Sequence, residues 1–262
     1  AAATTTPAGE GAVSLQLRHV EVPGVVDGLD LAVPAGEIVG VAGLEGSGHE
    51  AVLELVTGRL RPASGEVVLP DGAHPRSLRH AYAHGVGLVP RNRKVHGLML
   101  DQEVWENVIS VGWLGLGRGG FWQRTRLHRR RAEELTGRLR VRGHVRSRTG
   151  ELSGGNQQKV VVAKWLATDP SVLVLDDPTR GVDVGVRAEM HAVVRDLAGR
   201  GKVVLVASSD LAELVELCGR VLVFQRGRVV DVLEGGRLTE RGLSTAMNAG
   251  FVASPEAGQC RA

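Results

Sequence analysis

The chain has 262 residues, a formal net charge of +3, 43% hydrophobic and 23% charged residues. That length and apolar content exclude disorder as the default and suit one substantial domain, while the small net charge permits anionic partners without demanding nucleic acid. Two cysteines exclude a disulfide framework or thiolate metal centre, and the longest uncharged apolar run mid-chain, Asn107 to Gly117, falls short of the ~20 residues that span a bilayer.

In chain order, residues 1–12 (AAATTTPAGEGA) lack the basic start and apolar core of a secretory signal and read as a linker. Ala1 in place of Met suggests a piece of a longer polypeptide. VSLQLRHVEV and DGLDLAVPAGE alternate and carry turn residues, predicting a small antiparallel sheet at one edge. IVGVAG (38–43), VGLVP (86–90), VLVLD (172–176) and VVLVAS (203–208) are apolar on both faces, as strands of a helix-covered parallel sheet are. Residues from about 100 to 165 break the strand rhythm and read as mostly helical. VGVRAEMHAVVRDLAGR places Val186, Met190, Val193, Val194 and Leu197 at helical spacing. No repeat is evident, and the fold class is α/β.

Other residues receive structural readings. RTRLHRRRAEELTGRLRVRGHVRSR sets Leu127, Ala132, Leu135 and Leu139 at helical intervals, so its arginines form a solvated face over a packed helix, and it lacks the stacking aromatics of a nucleic-acid site. The nine histidines show no metal spacing and mostly suit the surface. Trp105, Trp113, Trp122 and Trp165 suit packing in or beside the helical part. Cys218 falls in a helical pattern and Cys260 in a polar tail.

Three stretches carry chemistry. GLEGSGHE (43–50) lies between a strand and a helix and has the glycine spacing of a phosphate-binding loop, but His49 stands at the lysine position and Glu50 at the hydroxyl position. Backbone amides around Gly46, Ser47 and Gly48 still suit an anion; the same pattern also suits a plain tight turn. In LSGGNQQK (152–159), Ser153 is placed to cap a helix whose start Gly154 and Gly155 leave open to an anion. In VLVLDDPTRGVDVG (172–185), an apolar strand ends in Asp176 and Asp177, which suits one carboxylate near magnesium and the next near an attacking water.

At these residues the sequence resembles the ATP-binding domain of ABC transporters over roughly 13–250, with 251–262 as a C-terminal tail. The resemblance implies a RecA-like P-loop NTPase core, an antiparallel β edge sheet and a helical subdomain at about 100–165. GLEGSGHE corresponds to Walker A, from Gly43 to His49 and Glu50, and VLVLDD to Walker B, with Asp176 toward Mg2+ and Asp177 at the catalytic glutamate position. LSGGNQQ corresponds to the signature, Leu152, Ser153, Gly154, Gly155, Asn156 and Gln157, which would face a partner's ATP. Asp183 falls in the D-loop, Arg91 in the Q-loop and Ser209 at the switch histidine.

LSGGNQQK followed by DPTRGVDVG is most similar to the second, C-terminal nucleotide-binding half of ribose-, xylose- and galactose-type importer subunits. Implied are ATP and Mg2+, a second nucleotide-binding half in the same chain or another subunit, transmembrane permease subunits and, indirectly, a periplasmic or extracellular solute-binding protein. The expected location is cytoplasmic, peripheral on the inner face of the membrane. Nucleoside importers are the nearest alternative, toward which Glu45 leans; a regulatory module without turnover is another.

The departures bear on chemistry. The resemblance leads one to expect glutamine or glutamate at Arg91, glutamate at Asp177 and histidine at Ser209. A carboxylate at 50 repels a triphosphate by about 4 kcal/mol at 4 Å and an effective dielectric near 20. His49 is largely neutral at pH 7 and shorter than lysine. Aspartate at 177 sets a base back by roughly 1 Å, a displacement that can cost about a hundredfold. The expectation is a weak or non-hydrolysing loop beside an intact signature that completes a partner's site.

Overall fold

The computed structural model describes residues 14–112 and 125–249. The linker 1–12, Trp113, Trp122, Cys260, the end of the 107–117 run and the tail 251–262 lie outside the described residues.

The chain runs through β1 (Ser14–Val22), β2 (Val26–Pro34), β3 (Ile38–Gly43), α1 (His49–Val56), β4 (Ser64–Val68), α2 (Leu78–Ala83), β5 (Val86–Val89) and a π-helical turn at Arg93–Gly97. It continues with α3 (Val104–Ile109), α4 (Thr125–Arg138), α5 (Gly154–Leu166), β6 (Val172–Asp176), α6 (Val184–Gly199), β7 (Val203–Ala207) and α7 (Leu211–Leu217). β8 (Arg220–Gln225), β9 (Arg228–Glu234) and α8 (Glu240–Asn248) close the described part. β1 pairs antiparallel with β2 and β4 in a three-stranded sheet; a six-stranded sheet has the order β5-β6-β7-β3-β8-β9, parallel from β5 through β8 with β9 antiparallel at its edge.

Strand periodicity explains why the central strands are apolar throughout. Successive side chains point to opposite faces. On β7, Val204 and Val206 enter a core shared with α3, α5 and α6, while Val203, Leu205 and Ala207 enter one shared with α1 and the antiparallel sheet. β6 divides likewise, Leu173 and Leu175 against Val172 and Val174. Both faces are covered, so neither tolerates a polar residue, and each fully buried aliphatic side chain contributes about 1.5–3 kcal/mol.

The helical expectation for 100–165 meets α3, α4 and α5, with one antiparallel bridge between Glu103 and Arg148. On α4, Ala132, Leu135 and the following Leu139 are buried, but Leu127 is 59% exposed. It stands five residues before Ala132, about 140° round the helix, which takes it off the buried stripe. Trp105 and Trp165 are core residues, and the Arg129 guanidinium lies 4.9 Å from the Trp105 ring centroid. Cys218 is not inside a helix: it is the extended residue that ends α7, and it is buried. Among the described residues no helix is long and apolar enough to cross a membrane.

Candidate functional site

β3 delivers the glycine loop to the N-terminus of α1. The Ser47 N–H donates to the Leu44 carbonyl at 2.9 Å, and the Gly227 N–H donates to the Ser47 carbonyl at 2.8 Å, tying the loop to the turn between β8 and β9. Glycine is required by close approach at two positions. A Cβ on Gly43 would stand 2.1 Å from Ser47 Oγ, and one on Gly48, at φ +96°, would stand 2.3 Å from the Val25 carbonyl oxygen. Gly46 lies between them at φ +77°.

His49 opens α1 with its Nδ1 2.9 Å from Ser47 Oγ. Burial lowers its pKa below 6.5; Glu50 and Asp177 oppose that shift and Arg91 reinforces it. At pH 7 the ring is therefore neutral, not a substitute for an ammonium. As pH falls, the unfolded chain takes up this proton before the folded chain does. The contribution of neutral His49 is thus present above about pH 6.5 and is lost as pH drops through that value toward the folded-state pKa. Between about pH 7.5 and about pH 5.5, the parent is expected to lose more stability in urea unfolding than His49→Gln. Equal losses would refute the assignment.

Glu50 does not face open solvent alone. Arg91, two residues past β5, places Nη2 2.6 Å from Glu50 Oε1 and Nε 3.2 Å from Asp176 Oδ1 and 3.0 Å from Asp177 Oδ2. Burial would lower the Arg91 pKa, but the Glu50 hydrogen bond and the charges of Asp176 and Asp177 outweigh it and hold the group above its usual value. Burial raises the Asp176 pKa, opposed by Arg91. Beside the cluster lies a cleft of about 270 Å³ lined by Glu50, Glu54, Arg59, Arg91 and Asp176 among others.

Asp177, just past the end of β6, has a left-handed backbone, φ +47°, and is 4% exposed. Its Oδ1 accepts hydrogen bonds from the Ser209 N–H at 2.6 Å and Ser209 Oγ at 3.0 Å, and its Oδ2 faces Arg91. Asp177 and Ser209, expected at the base and switch positions, thus meet, but as a closed pair. Asp176, expected to face magnesium, instead faces a guanidinium, because arginine stands where the resemblance leads one to expect an acid or amide. Magnesium requires oxygen donors in a near-octahedral shell. Among the described residues no group of three or more His, Cys, Asp or Glu is arranged to hold a metal, and the nearby carboxylates are bonded to Arg91. The residues present do not fit magnesium at this chain's own loop.

The LSGGNQQ segment, expected to act as the signature, lies elsewhere, at the start of α5. Ser153 is the N-terminal cap by position, but its side chain caps no amide: Oγ accepts from Asn156 Nδ2 at 2.9 Å, which leaves the helix N–H groups free. Asn156 Oδ1 accepts from the Arg142 N–H at 2.8 Å, and buried Gln157 donates from Nε2 to the Leu152 carbonyl at 3.1 Å. Gly154 lies beside Arg93, whose Nη1 donates to the Arg180 carbonyl at 3.1 Å. Gly155 packs on Val186, where a Cβ would come within 2.7 Å of Cγ2. Asp183 caps α6, accepting the Val186 N–H at 2.9 Å.

A buried cluster behind the end of β6 is not visible from the sequence pattern. Glu213 accepts from Thr179 Oγ1 at 2.8 Å and Ser208 Oγ at 2.6 Å, and its Oε1 lies 3.2 Å from His191 Nε2. Glu213 and His191 are each 1% exposed, so His191 departs from the surface reading given to most histidines. The available signal was a histidine beside Met190 on the apolar stripe of α6.

The family described as ABC transporter matches residues 26–180. The ribose import ATP-binding protein of Halalkalibacterium halodurans is 38% identical over 240 residues, covering 90% of this chain and 47% of that protein. That of Rhodococcus jostii is 40% identical over 232 residues, covering 88% and 46%. A putative ribose/galactose/methyl galactoside import ATP-binding protein of Rhizobium meliloti is 40% identical over 237 residues, covering 90% and 47%. The chain spans about half the length of these curated relatives. In fold, it matches a nucleotide-free ATP-binding cassette from an ABC transporter with a TM-score of 0.75 at 20% identity, covering 88% of this chain and 95% of that one.

Proposed function

The chain belongs to the ABC transporter family, and on that premise we propose that it is one nucleotide-binding half of an importer for ribose-type sugars, lending its signature to ATP held by another half. The observation that carries this reading is a contrast within one chain. The N-terminus of α5 is open and its LSGGNQQ motif is complete, while the loop at 43–50 has no lysine at position 49 and no hydroxyl at position 50, and its Glu50 is bonded to Arg91. The sugar class is supported by the relatives' names and by the DPTRGVDVG context.

In this assembly the partner half supplies the complete Walker A, and the nucleotide there is ATP with Mg2+. Ser153 and the first amides of α5 bind its γ-phosphate, adding donors where charge grows during transfer. Hydrolysis belongs to that composite site and the loop at 43–50 stays weak. The chain alone is therefore expected to bind Mg-ATP weakly and to turn it over barely above background. Calorimetry and phosphate release would check this; micromolar affinity with brisk turnover would overturn it.

The segment after Arg91 is the proposed docking face for a transmembrane permease, with a solute-binding protein contributing only through that permease. This placement implies a cytoplasmic position against the inner face of the membrane. Arg91 itself is turned into the ion-pair cluster, but Val95 is 66% and Met99 41% exposed, and Lys94 is exposed between them and Arg91. Cross-links from Lys94 to a co-expressed permease are expected. Contacts from the C-terminal tail alone would contradict this docking face.

A further inference from the structure

Two replacements that look like separate defects are partners in space. A carboxylate has entered at position 50 and a guanidinium at position 91, and the two meet at 2.6 Å. The same guanidinium reaches Asp176, the last residue of β6, at 3.2 Å and Asp177, just after it, at 3.0 Å. We propose that the Arg91 guanidinium takes the place of a divalent cation in this chain's own loop, which is thereby closed to Mg2+. Whatever nucleotide the loop accepts, it accepts without the metal.

The chemistry supports exclusion rather than competition. Arginine keeps its charge at all working pH values, and its rigid fork satisfies carboxylates directionally, as an ion would. A divalent cation entering between Glu50 and Asp176 would have to displace Arg91 or stand beside a like charge. Displacement would also remove a cationic neighbour from Asp177, whose side chain is 3% exposed, and a buried charge without its partner is costly. Glu50, in the first turn of α1, is held in reach of Arg91 by a helix end that favours a carboxylate. The inference deepens the proposed division of labour and rests on it in treating this loop as the non-hydrolysing member.

The test titrates the 262-residue chain with trinitrophenyl-ATP in excess Mg2+ and again in EDTA. The parent is expected to gain less than about tenfold in affinity from Mg2+, whereas the double variant E50S/R91Q gains about tenfold or more. A gain of about tenfold or more in the parent overturns the proposal. If the parent binds no nucleotide in either medium, the double variant decides: Mg2+-dependent binding supports exclusion, and no binding overturns it. Should the double variant fail to fold, Mn2+ titration of the parent followed by EPR settles the point. An unchanged free-ion signal is expected, and Mn2+ binding that weakens in D176N refutes the idea. None of these readings uses the signature, so failure here leaves the composite-site reading to its own test on Gly154 turnover.

Discussion

Replacing Gly154 by aspartate in the proposed two-half assembly is expected to lower ATP turnover by at least about a hundredfold, the loss typical when donors to a developing anion are removed. The fold itself should survive. A helix N-terminus favours a carboxylate, and a Cβ at this position points to Arg93, whose Nη2 would lie 2.6 Å away and can move to pair with the new acid. The damage falls on the nucleotide: a fixed negative charge would face the γ-phosphate, with repulsion of about 4 kcal/mol at 4 Å and an effective dielectric near 20. His49→Ala should change turnover far less, since it removes a neutral ring whose hydrogen-bonding partner is Ser47. Steady-state turnover of both variants beside the parent gives the answer. Equal damage would mean that the loop at 43–50 is a working ATP site.

Glu213→Ala is expected to destabilise the fold by about 3–5 kcal/mol, because it strands several polar partners together. Thr179 Oγ1 and Ser208 Oγ lose their acceptor, and His191 loses the carboxylate at 3.2 Å, with no water path at 1% exposure. Glu213→Gln keeps the shape but turns an amide N–H2 toward a donor, so an intermediate loss is expected. Urea unfolding of the three chains, with Glu240→Ala as an exposed control, measures the series. A loss no greater than that of the control would refute the role of the cluster.

The legible part of the fold is the part where local pattern and burial coincide. β3, β5, β6 and β7 stood out because cover on both faces leaves continuous apolar runs. β9 did not: RVVDVLE is half exposed and mixes Arg228 and Asp231 with valines, so its register depends on β8 rather than on its own pattern. A hairpin signal was present, since Arg226 and Gly227 both take positive φ between the two strands, a conformation suited to a two-residue turn. The site divides in the same way. Residues within one motif, such as Asp176 and Asp177, were visible because a strand end places neighbours together. Arg91 pairs with residues 41 and 85 positions away, and Glu213 with residues 34 and 22 positions away. No periodicity encodes such separations; only the sheet order brings them into contact.

The backbone at Asp177 has a consequence for descent. A left-handed conformation suits short polar side chains such as aspartate and asparagine, and Asp177 is further fastened by Ser209. A lineage that acquired glutamate here by one codon change would gain a side chain too long for that clasp, still opposite Arg91. Restoring an acid or amide at 91 alone would leave Glu50, Asp176 and Asp177 without their shared counter-charge, and restoring a hydroxyl at 50 alone would leave Arg91 on the carboxylates. Each single reversion meets neighbours already adapted to the altered state. Under the proposed division of labour, loss of hydrolysis at this loop would therefore work as a ratchet, and recovery would have to cross at least positions 50, 91 and 177 in concert.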